Sequence, residues 1–308
     1  MKSIKLLFAI VFTGALFNSC TTYFVEDGYV DEISLEEVVS GYDLWYVDYH
    51  RTTGNGDVPF LSKAFTVSFL NGRMYANNNI VDIGKTGNGL GILVGSYNTF
   101  NGFLETRHNL DGRFDFDVTQ ISSNEIRIRD NYENVSYYLI GSQRNNFDYV
   151  KVFYENIEYF LQEYVAWEKT ETNGGTPNAF DEENFLQFTP ENITTFYSSQ
   201  DNVGTNIDYI NWDYVGDYQV FDVIDFEDVK ILELYYDGGD VEEFELTIPD
   251  DNTIKLYHIN SQTTYTFSGR VFVQYLKGGK QNATEKGRNN DRKRIKVERD
   301  KKIRRNLK

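Results

Sequence analysis

The chain has 308 residues, a formal net charge of −17, four prolines and one cysteine. A single cysteine excludes a disulfide framework and any Cys-rich metal module, and the three histidines, His50, His108 and His258, lie too far apart in sequence to read as a histidine metal centre. The 23 Phe, 23 Tyr and 3 Trp supply enough aromatic surface for a sizeable core, which excludes global disorder.

Residues 1–19 read as a targeting segment. Lys2 and Lys5 precede the apolar run Leu6–Phe17, and Asn18-Ser19-Cys20 follows. The run is too short for a good membrane-spanning helix, which needs about 20 residues, and it has the layout of a secretory signal. The only cysteine, Cys20, stands where a bacterial lipoprotein signal places its lipidated cysteine, with small Ser19 before it. Phe17 and Asn18 depart from the usual box. Looser boxes of this kind resemble those of Bacteroidetes lipoproteins, which implies lipidation at Cys20, attachment to a membrane through the N-terminal lipid and a place in the cell envelope, at the outer membrane. The alternative reading is an ordinary secretory peptide. Residues 20–33 are polar and acidic and read as a tether.

From residue 34 the pattern is all-β. Ser34-Leu35-Glu36-Glu37 fits a capping box opening a short helix that ends at Ser40, before Gly41. Period-2 alternation follows in Phe65/Val67/Phe69, Phe114/Phe116/Val118 and Ile126/Ile128, separated by turn signals such as Asn71-Gly72 and Asp111-Gly112. The plan then repeats. Asn156–Tyr164 has helical spacing, and strands are expected near Phe185–Phe188, Ile193–Tyr197, Tyr218–Val223, Ile231–Tyr236, Phe244–Ile248, Ile254–Tyr257, Thr264–Phe267 and Val271–Tyr275. Asn124-Glu-Ile126-Arg-Ile128 matches Asn252-Thr-Ile254-Lys-Leu256 at an offset of 128, and Gly141 meets Gly269 at the same offset. Tyr42 and Trp45 meet Tyr164 and Trp167 at an offset of 122. Anchors in the same order indicate a duplication, with modules at 34–145 and 146–276 joined near Arg144–Val150.

A short helix, a first strand opening Gly41-Tyr42-Asp43-Leu44-Trp45, and hairpins closing in Ser136-Tyr137-Tyr138-Leu139-Ile140-Gly141 resemble the lipocalin-like domains of flavobacterial envelope lipoproteins. The spacing here is Gly-x-x-x-Trp where the lipocalin pattern has Gly-x-Trp, and Glu163 takes the place of the glycine in the second copy. The resemblance implies two tandem lipocalin-like antiparallel β-barrel or sandwich modules, each preceded by a short helix.

An eight-stranded barrel has room for one small ligand, and Trp45, Trp167 and Trp212 are the candidate lining residues; the competing reading makes Trp45 and Trp167 floor plugs. No nucleophile elbow, Ser-His-Asp constellation or phosphate loop is present, so no catalytic residue is assigned. Gly84–Gly91 reads as a mobile hairpin loop. His258, on the parity of Ile254 and Leu256, points inward, but its counterpart is Asp130, so no role is shared between copies. The Asp111/Asp115/Asp117 and Asp222/Asp225/Asp228 groups lack calcium-loop spacing and read as solvated charge rows, so no metal or cofactor is expected.

Residues 277–308 hold 14 basic and 4 acidic side chains, +10, against −27 on residues 1–276. This tail reads as disordered. Its clusters Arg292-Lys293-Arg294 and Lys301-Lys302-Ile303-Arg304-Arg305 suit an anionic envelope polymer or the acidic body itself; outside the cytosol no nucleic acid is expected. The functional expectation is a non-catalytic envelope lipoprotein binding a small ligand or another envelope component. The alternatives are an enzyme whose site forms only in three dimensions and an adhesive lipoprotein acting through its tail.

Overall fold

The computed structural model describes residues 33–189 and 195–273, together with the backbone of Lys302–Ile303. The signal segment, Cys20, the tether and the rest of the basic tail lie outside the described residues.

A short helix, α1 (Leu35–Ser40), leads into β1 (Leu44–Gly54), β2 (Thr66–Leu70), β3 (Arg73–Asn77), β4 (Ile92–Phe100), β5 (Phe103–His108), β6 (Gly112–Ser122), β7 (Glu125–Asp130) and β8 (Val135–Ser142). Each strand pairs antiparallel with the next, and β8 returns to β1, closing an up-and-down barrel. Asn71-Gly72 and Asn101-Gly102 make the tight turns; all four residues have positive φ, which Asn and Gly adopt most readily. Two helices follow, α2 (Tyr149–Glu155) and α3 (Ile157–Leu161). Then come β9 (Tyr164–Gly174), β10 (Phe185–Phe188), β11 (Thr195–Ser199), β12 (Tyr214–Val223), β13 (Phe226–Tyr236), β14 (Val241–Asp250), β15 (Thr253–His258) and β16 (Thr263–Phe272). They meander in the same way and close through β16–β9 pairing, with β11 on β12 completing the ring. The described body is thus two eight-stranded antiparallel barrels in tandem. A two-residue strand, β17 (Lys302–Ile303), lies parallel to the end of β12.

Two local expectations change. The helix expected over Asn156–Tyr164 is confined to α3, and an unexpected helix, α2, precedes it; the two are separated at Asn156, whose side-chain amide donates to the Val152 carbonyl (2.9 Å) and to the Tyr46 hydroxyl (3.0 Å), bonds that compete with a continuous helix. Tyr164 already belongs to β9. The two strands expected at Thr264–Phe267 and from Val271 onward are one strand, because Gly269 pairs with Trp167 and Phe272 with Tyr164 along β9. The one register shift along this pair lies between Thr266 and Phe267, where β9 carries an extra residue, Thr170.

The duplication extends to individual atoms at the barrel floors. Trp45 pairs with Gly141 and Trp167 with Gly269. Each indole N–H donates to a helical carbonyl six residues back, Trp45 to Val39 (2.8 Å) and Trp167 to Leu161 (2.9 Å). Each is met edge-on by a tyrosine three residues earlier, at 5.2 Å for Tyr42 and 4.8 Å for Tyr164. Those tyrosines donate in turn to the bottom hairpins, Tyr42 to the Ser123 carbonyl (3.0 Å) and Tyr164 to that of Asp251 (2.9 Å). The glycines are required by this contact. A Cβ on Gly141 would lie 2.4 Å from the Tyr42 ring, and one on Gly269 2.5 Å from the Tyr164 ring.

Above each floor the strands bury alternate residues, Ile126 and Ile128 in β7 and Ile254 and Leu256 in β15, all at most 1% exposed. The loop between β1 and β2 folds Val58, Phe60 and Leu61 into the first barrel, and Phe180 enters the second from the loop between β9 and β10. Leu44, Tyr46, Phe65, Ile80, Val81 and Ile83 of the first barrel belong to the same buried cluster as the interior of the second. Glu163, 1% exposed, fastens the junction: its carboxylate accepts the Ile80 amide (2.8 Å) and the Val81 amide (2.7 Å). The residue that breaks the glycine pattern is therefore the inter-barrel clamp. Lys85 adds an exposed bridge to Asp251 at 2.8 Å.

Gly141→Ala and Gly269→Ala should each lower stability by about 1–3 kcal/mol, the usual cost of overpacking a filled site. Urea unfolding of each variant measures this, and an unchanged midpoint for both would contradict the floor contact.

Candidate functional site

The floors are closed, so the open ends decide what the barrels can hold. Trp45 and Trp167, 1% and 0% exposed, are the floor plugs, with their indole N–H groups engaged. Trp212 is half-buried in the loop before β12, beside Tyr197 at 6.2 Å, and lies in neither interior. The three tryptophans do not converge on one pocket.

The mouth of the first barrel carries a concave site of about 270 Å³. The β1–β2 loop contributes Phe60, Lys63 and Ala64, strand β3 and its end contribute Ala76 and Asn78, and the other wall is Ile92–Val94 with His108–Leu110. Its apolar rim is open to water: Ile92 is 47%, Leu93 52% and Leu110 61% exposed. His108 is stacked on Phe60, with ring centroids 5.2 Å apart and planes 11° from parallel. Its Nδ1 lies 3.1 Å from both the Asp111 amide and the Asp111 carboxylate. That arrangement holds Phe60 upright as the pocket's inner wall and leaves apolar surface with a few hydrogen-bonding groups at its edge, the usual make-up of a small-ligand site.

The second mouth is built differently. Phe180 fills it, packed on Phe244 (4.7 Å) and Tyr265 (4.9 Å). A polar layer covers that ring. Tyr265 donates to the Asp181 carboxylate (2.6 Å), Lys169 donates to the Asp181 carbonyl (2.5 Å), and Asn178 caps the turn that carries Phe180. Hydrogen bonding from Tyr265 and the Asn178 amide, with the charge of Lys169, outweighs desolvation and holds the Asp181 carboxyl below the usual range, while burial pushes the Tyr265 phenol up to about 12. Deeper in the wall, Glu183 accepts from Tyr236 (2.8 Å), and burial, aided by the charge of Glu242, pushes its carboxyl up to about 7.

His258 bridges this layer. Its Nε2 is 2.7 Å from Glu242 and its Nδ1 2.7 Å from Ser261 Oγ. A hydroxyl, imidazole and carboxylate in a row suggest acyl transfer, which requires a hydroxyl facing substrate. Ser261 instead is 5% exposed and donates to Thr263 Oγ1 at 2.8 Å. The row latches the β15–β16 hairpin. Asp130 does the same in the first barrel, accepting the Glu133 amide (2.9 Å) across the β7–β8 turn. The two positions therefore share a role, contrary to the expectation from their different chemistry: both fasten residue i to i+3 of the same hairpin.

His50 lies apart, its Nε2 3.0 Å from the Glu155 carbonyl. The loop Gly84–Gly91 turns at Thr86–Gly89, where Gly87 and Asn88 take left-handed backbone angles, and is tied down by Arg144, which donates to the Asn88 carbonyl at 2.8 Å. The aspartate groups form ion pairs and hydrogen bonds, Asp115 with Arg113 (3.0 Å), Asp117 with Asn131 and Asp222 with Lys230 (2.8 Å). Among the described residues no three His, Cys, Asp or Glu side chains gather as metal ligands. The rim pocket was not legible beforehand, because its wall comes from four separated segments; the only local trace is the apolar stretch Ile92-Leu93-Val94 on a strand that does not alternate. Comparison with protein-family models and with curated proteins gave no significant match.

Glu183 generates a pH dependence. Its folded pKa, about 7, exceeds the ordinary 4.5, so the stabilising neutral form is complete below pH 4.5 and is lost as pH rises through 7. Between pH 5 and pH 8 the wild type should lose about 2–3 kcal/mol more stability than Glu183→Gln. Denaturant unfolding of both proteins at the two pH values measures the difference, and equal losses would refute it.

Proposed function

We propose that the protein is a non-catalytic, lipid-anchored component of the cell envelope, at the outer membrane, that binds a small amphiphile at the mouth of its first barrel. The rim pocket carries this reading: three exposed aliphatic side chains surround a concavity with an aromatic inner wall, and Lys63, Asn78 and Asn109 stand at its edge. Exposed apolar groups around a concave surface mark binding sites. The volume lies at the small end of ligand pockets, so the fitting ligand is a short apolar body with a hydrogen-bonding or anionic head. The barrel interiors are filled, so the ligand is held at the rim.

Anchoring rests on the apolar run that ends at Cys20. Each buried methylene adds about 0.8 kcal/mol, so several acyl chains hold a protein where one is marginal. Labelled palmitate should enter the wild type in a bacterial host and not Cys20→Ala; equal labelling removes the anchor from the proposal.

For the pocket, octanoate and decanoate are suitable probes. Calorimetry should show binding to the wild type and at least a tenfold loss, about 1.4 kcal/mol, in Leu93→Asp. Leu93 is half exposed, so its melting temperature should stay that of the wild type. Undiminished binding by the variant, or none by the wild type at millimolar probe, overturns the site.

A further inference from the structure

The outer surface of the second barrel has a feature that the rim pocket does not explain. Helix α2 and the β12–β13 hairpin enclose a groove of about 810 Å³. Six carboxylates line it: Asp148 and Glu155 on the helix side, and Asp222, Asp225, Glu227 and Asp228 on the hairpin. Only two lysines offset them, and each is already engaged, Lys151 with Glu155 at 3.6 Å and Lys230 with Asp222 at 2.8 Å.

The same place presents a strand edge. The ladder of β11 on β12 runs from Ser198↔Tyr214 to Thr195↔Asp217, and β12 continues to Val223. Residues of its lower half with outward parity, Phe221 and Val223, form an apolar cluster with Val229 and Ile231 on the outside of the barrel, each only 4–7% exposed. Against that edge lies β17, parallel, with Lys302 opposite Asp222 and Ile303 opposite Val223. Groove and edge meet at Asp222 and Val223, Val223 also belongs to the apolar cluster, and the strand paired there belongs to the most basic part of the chain, Lys301-Lys302-Ile303-Arg304-Arg305.

We propose that this surface is a docking site for an extended basic segment and that its occupant is the protein's own C-terminus. Strand addition supplies main-chain hydrogen bonds and the register, as in other edge-strand recognition. The register sets residue 303 opposite Val223 and residue 302 opposite Asp222, and the positive charge of residues 301–305 complements the carboxylates of the groove. The contact is intramolecular, so it is favoured by effective concentration, and its charge component weakens as salt screens it.

The test uses the full chain. A nitroxide on Asn306→Cys, in a Cys20→Ala background, should at low salt broaden the amides of Asp222–Phe226 and Val150–Glu155, with signals cut by half or more. Adding Ile303→Pro, which cannot sustain the strand, should restore them, as should charge reversal at Asp225 and Asp228. Absence of broadening at those amides overturns the proposal and leaves the tail to an anionic envelope polymer. Broadening that Ile303→Pro leaves unchanged overturns it as well.

Discussion

An indole N–H hydrogen-bonded to the carbonyl of a preceding helix holds each barrel closed at one end, and the rest of the architecture is built outward from that bond. A buried indole needs an acceptor. Val39 and Leu161 provide one because they lie in or at the end of short helices whose last carbonyls lack helical partners. The bond fixes the helix against the floor and the floor against the first strand. Tyr42 and Tyr164 then close over the ring and reach the bottom hairpin, and the facing glycine leaves room for them. Leaving a buried donor unsatisfied costs about 1–3 kcal/mol, so tryptophan, tyrosine, glycine and helix are interdependent in each copy.

The duplicated geometry accounts for what could be read in the chain. Residues at the offset of 128, such as Ile126 with Ile254 and Gly141 with Gly269, sit in paired strands at identical register positions. A period of two is dictated locally by the pleat, and a repeated Trp marks a repeated floor. Eight strands per copy and an all-β architecture follow from those signals. Other features depend on contacts distant in sequence. Glu163 is an ordinary carboxylate until the fold brings the Ile80 and Val81 amides to it from the other barrel. Phe60 and Phe180 lie in loop sequences, yet they plug the barrels because those loops turn inward. Asp130 and His258 look unrelated as residue types and act alike because a hairpin latch needs only an acceptor or donor at the right distance.

The two mouths show how copies with the same frame come to differ. In the first, Phe60 rests against His108 and the neighbouring aliphatic groups remain in contact with water. In the second, Phe180 is covered by Tyr265, Asp181, Lys169 and Asn178, a layer in which each named polar group has a partner. The first arrangement keeps unspent apolar surface; the second converts the same location into cross-bracing. The raised Glu183 carboxyl follows from that choice, since a layer sealed from water penalises the charged form.

The common core joining the barrels bears on the history of the duplication. A second copy is ordinarily free to drift, because the first keeps the original fold intact. Here Tyr46, Phe65, Ile80 and Val81 pack into the cluster that contains Trp167 and Phe244, while the first barrel keeps a separate interior around Trp45, Val67 and Leu139. A destabilising substitution at this seam is therefore felt by both barrels. The seam residues are thereby constrained together, whereas the loops at the mouths lie outside that constraint, and there Phe60 and Phe180 have acquired different surroundings.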